Sequence, residues 1–246
     1  MRLHTATTKF ARQGLYASMP LGVLAFWGGL WMAAQRYPSE YDWHYMTISS
    51  LVYPERNPDG YFWAWAGLIA CGLGGLGWTL MLLHEWPRAS SGRRPFGIWI
   101  LGLGYLCMVC CALLPGRILR VPKGHEILAI SAFIGLCIGI VQLTIQAVER
   151  GIRQRSQRFP IGPRVCAGLL AGFALIPIAL AGMTQSYVSH ALPQLPWVGI
   201  EWRARGVPLY LSFAFWEWIT CAVFSIYSVA LGLTTQLMPD LRSNAA

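Results

Sequence analysis

Residues 41–67 read YDWHYMTISSLVYPERNPDGYFWAWAG, in which His44, Thr47, Ser49, Ser50, Glu55, Arg56, Asn57 and Asp59 lie between two long apolar runs. Donors, acceptors and both signs of charge at that density are costly inside hydrocarbon. The stretch is therefore a water-facing connection, and its neighbours, residues 15–34 and 61–83, are the segments that leave water. Further apolar runs cover residues 96–114, 127–148, 165–184 and 209–237. At a rise of about 1.5 Å per residue, each is long enough to cross the roughly 30 Å of hydrocarbon in a bilayer. The expected fold is all-α: a single domain over residues 1–246, a polytopic integral membrane protein built as a bundle of six transmembrane helices.

Composition points the same way. Hydrophobic residues make up 55% of the 246 and charged residues 12%, with a mean hydropathy of +0.46, values that belong to the membrane class. A net charge of +9 does not imply nucleic acid, because the basic residues sit in short connections between apolar runs. There they act as topology signals and attract anionic headgroups. All seven cysteines fall inside apolar runs, so no disulfide framework is expected. Cys107-x-x-Cys110-Cys111 reads as small apolar filler, with a redox or metal motif as the alternative. Run 15–34 follows Arg2, Lys9 and Arg12 and exceeds the apolar core of a secretory signal, so it reads as a retained first span.

Small residues recur four apart in several runs: Ala25, Gly29 and Ala33; Gly67, Cys71 and Gly75; Ser131, Gly135 and Gly139. Lipid supplies no hydrophobic drive between helices, so close backbone approach along such stripes is the expected packing. Pro177 predicts a kink in the fifth run. Twelve of the 19 Lys and Arg lie in the two tails and the second and fourth connections, which predicts that both termini are cytoplasmic. On the opposite side, the first connection carries Glu40, Asp42, Glu55 and Asp59 against Arg36 and Arg56. The third carries Arg117, Arg120 and Lys123 against Glu126. These loops are expected either to pair with each other or to cradle a charged headgroup.

Pro54-Glu55-Arg56-Asn57-Pro58-Asp59-Gly60 is dense in turn residues and displays Arg56 and Asn57 just before the second run. An Arg and Asn so placed suit a phosphate or carboxylate, and Asp59 suits the N-cap of that run; a capped loop with a satisfied arginine explains the same residues. His44, His125 and His190 fall on one side of the bundle. With Asp42, Asp59 or Glu126 they are candidates for acid/base work or a metal site, against scattered interfacial histidines. No intrahelical metal spacing is present, and no metal is assigned. A nucleophile at Ser49 or Ser50 lacks a G-x-S-x-G elbow. Glu217, counted inward from Leu209, falls well inside the sixth run, where a carboxylate serves as a ligand anchor or proton relay, or is protonated and hydrogen-bonded. Thr220, Ser225 and Ser228 continue a polar line from it. His84 has no second histidine at its depth for haem, so no cofactor is assigned.

Thr47-Ile48-Ser49-Ser50-Leu51, the Pro54 to Gly60 segment, an aromatic and glycine-rich second run, and Pro122-x-x-His125-Glu126 at the head of the fourth resemble a known group. It is that of the bacterial six-helix membrane proteins classed as a domain of unknown function, distantly similar to the damage-regulated autophagy modulators and the GPI-anchor lipid-remodelling proteins. The resemblance covers most of the bundle by helix count, but specific residues only in the first connection and the second and fourth runs. It implies a polar extracytoplasmic site, a lipid-linked role and a bacterial inner membrane, and it transfers no catalytic residue.

The functional expectation is a lipid-handling protein that binds or modifies an amphiphile at its extracytoplasmic mouth. Arg56, Asn57, Asp59, Arg117, Arg120 and Lys123 would hold the headgroup, His44, His125 and Glu126 would do any acid/base work, and membrane lipids would be the partners. The alternatives are a non-catalytic subunit contacting another membrane protein or a second copy of itself, and, third, a small transporter. No pair of interrupted helices supports the last of these.

Overall fold

A computed structural model of the chain describes residues 2–85, 96–113, 124–153, 163–191 and 201–237. Every regular element among them is helical: α1 (Arg2–Ala34), α2 (Ile48–Val52), α3 (Tyr61–Glu85), α4 (Phe96–Leu113), α5 (Gly124–Arg153), α6 (Pro163–Ala191), α7 (Glu201–Ala204), a 3-10 turn (Leu209–Leu211) and α8 (Phe213–Leu237). Five helices are long and apolar enough to cross a membrane, over Ala17–Ala34, Tyr61–His84, Phe96–Leu113, Gly124–Ile145 and Phe213–Ala230. The chain is an integral membrane protein. Its outward faces agree: Ile127, Ile130, Ile134 and Ile138 are all exposed along one side of α5, an apolar stripe that water would not tolerate and lipid would.

Several boundaries differ from the apolar runs, for physical reasons. Helix α1 starts at Arg2 rather than 15, since helix formation needs no apolar character and the tail contains good helix formers. Helix α6 opens on Pro163, whose missing N–H is harmless at a first helical position, and it runs on through Pro177 to Ala191. Helix α8 begins at Phe213, not 209. Pro208 and the 3-10 turn precede it, and Ser212 has extended backbone at φ −77° and ψ 119°. The Ser212 hydroxyl accepts the Phe215 N–H, as an N-cap does, and donates to the His44 carbonyl.

The long helices follow one another round a ring: α1 packs on α3, α3 on α4, α4 on α5, α5 on α6 and α6 on α8, and α8 meets α1. Small residues set the tight seams. A Cβ on Gly29 would meet the Trp63 carbonyl oxygen at 2.4 Å, and one on Gly74 would meet the Ser18 carbonyl oxygen at 2.4 Å. Gly104 of α4 and Gly135 of α5 face each other, with 2.8 Å from a Cβ on Gly135 to the Gly104 Cα. The expected stripes are partly redistributed. Gly75 lies under the Tyr105 ring on α4 rather than against α1, and Ser131 is exposed while Ala132 takes its place at the α4 seam.

Glycines on one helix should therefore differ sharply. Gly28→Ala has nothing within 4 Å of the added methyl and should hold or raise thermal stability, by up to about 1 kcal/mol from helix propensity. Gly29→Ala drives its methyl into backbone and should lower it, by about 1–3 kcal/mol as overpacked sites do. Melting curves of the two variants in one detergent check this; equal shifts would contradict the seam.

Candidate functional site

The site is built by the connection between α1 and α3 folding over the end of the ring. Thr47 is extended at φ −71° and ψ 157°, which starts the short helix α2. Its hydroxyl lies 2.7 Å from that of Ser49 and 3.2 Å from that of Ser50. The first amide of α2, Ile48 N–H, has no partner within so short a helix. Glu217 of α8 supplies one, with Oε2 accepting it at 3.2 Å. A hydrogen bond of this kind contributes about 0.5–1.5 kcal/mol. Trp218 Nε1 donates to the Met46 carbonyl at 3.0 Å, and Trp65 Nε1 to the Val52 carbonyl at 2.9 Å. The Tyr41 hydroxyl sits 2.9 Å from the carbonyl oxygens of both Met46 and Thr47. The plug thus has its backbone groups satisfied by side chains from α3, α8 and its own approach.

Beneath α2 lies a cavity of about 110 Å³. Ile48, Ser49 and Val52 close its outer end, and α5 contributes one face through His125, Ala129, Ala132, Phe133 and Leu136. Glu217, Ser225 and Ser228 of α8 all line it, so it follows the helix axis for about 16 Å at 1.5 Å per residue. Its walls are otherwise mostly apolar. Glu217 stands only in the second turn of α8, shallower than counting from Leu209 implied, because the helix starts four residues later. Of the expected polar line, Ser225 accepts Trp27 Nε1–H at 3.1 Å and Ser228 lies 3.4 Å from the Tyr105 hydroxyl. Thr220 bonds back to the Trp216 carbonyl and does not line the cavity.

The three candidate histidines each have a separate setting. His125 is buried, with Nδ1 3.3 Å from Cys111 Sγ and 3.3 Å from the Cys111 carbonyl oxygen, and its ring is 4.9 Å from that of Tyr53. Burial, with the Glu126 charge nearby, pushes the Tyr53 phenol up to about 12, so it stays a neutral donor. His44 contacts Asp42 at 2.8 Å and stacks on Trp43. His190 is exposed and bonds the Ser186 carbonyl of its own helix. Among the described residues no three His, Cys, Asp or Glu side chains converge as metal ligands.

No family model, curated protein or solved structure matches the chain.

The remaining expected residues fall in different places. Asn57 is fully buried, its Nδ2 donating to the carbonyls of Ala33 at 3.1 Å and Leu51 at 3.3 Å. Arg56 is exposed on the rim, 3.4 Å from Ser50 Oγ and over the Tyr53 ring. Asp59 is exposed; the turn into α3 is closed instead by the Asn57 carbonyl, which accepts from Gly60 and Tyr61. Glu126 is exposed in the first turn of α5. Arg117, Arg120 and Lys123 lie outside the described residues, and with them the expected meeting of the first and third connections. The first connection instead reaches the segment before α8. Asp42 pairs with Arg203 at 2.9 Å, a surface contact worth about 0–1 kcal/mol, and Tyr45 donates to the Val207 carbonyl at 2.8 Å. Gly206, at φ +73°, makes the turn that presents that carbonyl.

Asn57→Ala should cost about 1–3 kcal/mol by stranding buried carbonyls, while Asp59→Ala should stay within about 0.5 kcal/mol. Thermal unfolding of both variants reads the difference, and a tolerant Asn57 would remove its bracing role.

Proposed function

We propose that this chain is a lipid-handling protein of six membrane spans, with α6 as the span beyond the five above and both termini in the cytoplasm. It binds an amphiphile with the apolar part in the axial cavity and the headgroup beneath α2. The observation that carries the reading is the shape of polarity along that cavity. Glu217, Ser49 and His125 stand at one end, and below them Met19, Val23, Leu68 and Leu136 form apolar wall interrupted by the Ser225 and Ser228 hydroxyls, which are engaged by Trp27 and Tyr105. Such a gradient complements a molecule with one polar end, in the way ligand sites combine apolar lining with a few polar groups. The headgroup contacts of this reading come from Glu217, Ser49 and His125, with Arg56 on the rim. The resemblance in residues 47–60 and 122–126 points to the same lipid-linked role.

Mass spectrometry of lipids co-purified with the protein tests it. Ala129→Phe puts a ring beside His125 into the cavity and should deplete the bound amphiphile severalfold, whereas Glu126→Gln, outside the cavity, should not. Wild-type amounts and species in Ala129→Phe would end the reading. For topology, single cysteines at Asp59 and Arg203 should react with an impermeant maleimide added outside intact cells, and cysteines at Arg88 and Arg155 should not. The reverse pattern would invert the orientation.

A further inference from the structure

The cavity carries information about the head of the molecule it takes. Glu217 is held by one oxygen on the Ile48 amide, and its other oxygen has no protein partner among the described residues. His125 commits Nδ1 to Cys111, while Nε2 approaches only the Cys111 sulfur, at 3.9 Å. An acceptor and an imidazole nitrogen therefore remain available at the polar end. Among the described residues that line the cavity there is no lysine or arginine. With Glu217 ionised, an anionic head beneath α2 would face a like charge with no cation among these lining residues and Arg56 only out on the rim, an arrangement that both desolvation and like-charge repulsion oppose.

The cavity is also narrow. About 110 Å³ is less than the roughly 150 Å³ that holds one benzene, yet it is drawn out along α8 from Glu217 to Ser228. A slot of that form admits the head and first carbons of one chain and not two chains abreast.

Resting on the amphiphile reading above, we propose that the site selects a single-chain lipid with a hydroxyl head. The hydroxyl donates to the free oxygen of Glu217 and, in the tautomer whose Nδ1 accepts from the Cys111 thiol, accepts from His125 Nε2–H. A hydroxyl fits because it both donates and accepts, whereas a phosphate or carboxylate head is rejected. A free long-chain alcohol and a monoacylglycerol share this chemistry.

The test uses the full chain in lipid nanodiscs with diazirine-bearing probes of equal chain length: dodecanol, monododecanoylglycerol, dodecanoic acid and dodecylamine. It is run in mildly alkaline buffer so that the acids are ionised, with mapping of the labelled residues. At least one hydroxyl probe should label the cavity face of α5 or α8 roughly tenfold or more above dodecanoic acid, as a like charge beside Glu217 implies. Which hydroxyl probe labels better identifies the source. Glu217→Gln keeps an acceptor for the Ile48 amide but removes the charge, so the acid and alcohol should then label within about twofold of each other. Equal labelling by dodecanoic acid in wild type, preference for dodecylamine, or an unchanged acid-to-alcohol ratio in Glu217→Gln would each overturn the hydroxyl assignment. So would absence of labelling by every probe while Ala129→Phe still depletes co-purified lipid, which leaves the broader reading standing. Absence of both effects would remove the broader reading as well.

Discussion

Three chain segments meet on one amide. The side chain of Asn57, fully buried, donates to the carbonyl of Ala33 at the end of α1 and to that of Leu51 in α2. Its own backbone carbonyl receives the N–H groups of Gly60 and Tyr61 at the start of α3. Its Nδ2 is fully bonded while its Oδ1 is buried without a partner, so the group is kept for what the bonds of its nitrogen and backbone do: they fix how the connection leaves one helix, makes another and enters a third. Gly60 belongs to the same device. Its role is space, since a Cβ there would come within 2.5 Å of the Asn57 amide and 2.6 Å of the Ala33 oxygen.

With that corner fixed, the two sides of α1 behave oppositely. Toward α3, Gly22, Gly29, Gly67 and Gly74 let backbones touch. Toward α8, large rings stand between the helices: Trp27 lies 5.9 Å from Trp218 by ring centroids and reaches Ser225 through its indole N–H. Small residues close one seam and aromatic residues hold the other apart. The space that remains, roofed by α2, is the cavity. Its existence follows from where side-chain volume is distributed along α1, α3 and α8.

Much of this was legible in the sequence. Five of the six apolar runs locate helices long and apolar enough to cross a membrane, because hydrocarbon imposes length and composition directly. The glycine stripes announce the tight seams, though not which neighbour each glycine meets: Gly67 and Gly75 sit on one helix yet face α1 and Tyr105 of α4. Polar residues were harder. Asn57 and Arg56 are adjacent and read alike as headgroup ligands, but one is enclosed and the other exposed, a distinction set by tertiary contacts that no local pattern encodes. Cys111 reads as filler because thiols in apolar runs usually are; only the fold brings it to His125. Helix α2 had a local signal, Thr47 before Ile48-Ser-Ser-Leu-Val52 with Pro54 soon after, that was submerged in the polarity of its surroundings.

Glu217 shows how a carboxyl group can persist here with no ion-pair partner among the described residues. It stands in the second turn of α8, near the outer end of the bundle, and the plug helix meets it with an amide that lacks any other acceptor. Two deficits, an orphan donor at the start of α2 and a poorly hydrated acceptor on α8, thus cancel. Replacing the Glu217 carboxylate by an apolar group would leave the Ile48 amide stranded, so the carboxylate has a structural reason to exist even in an empty cavity. That reason accounts for one oxygen only. The second oxygen belongs to a side chain that lines a space walled largely by carbon, packing does not explain it, and a donor-headed ligand would complete it.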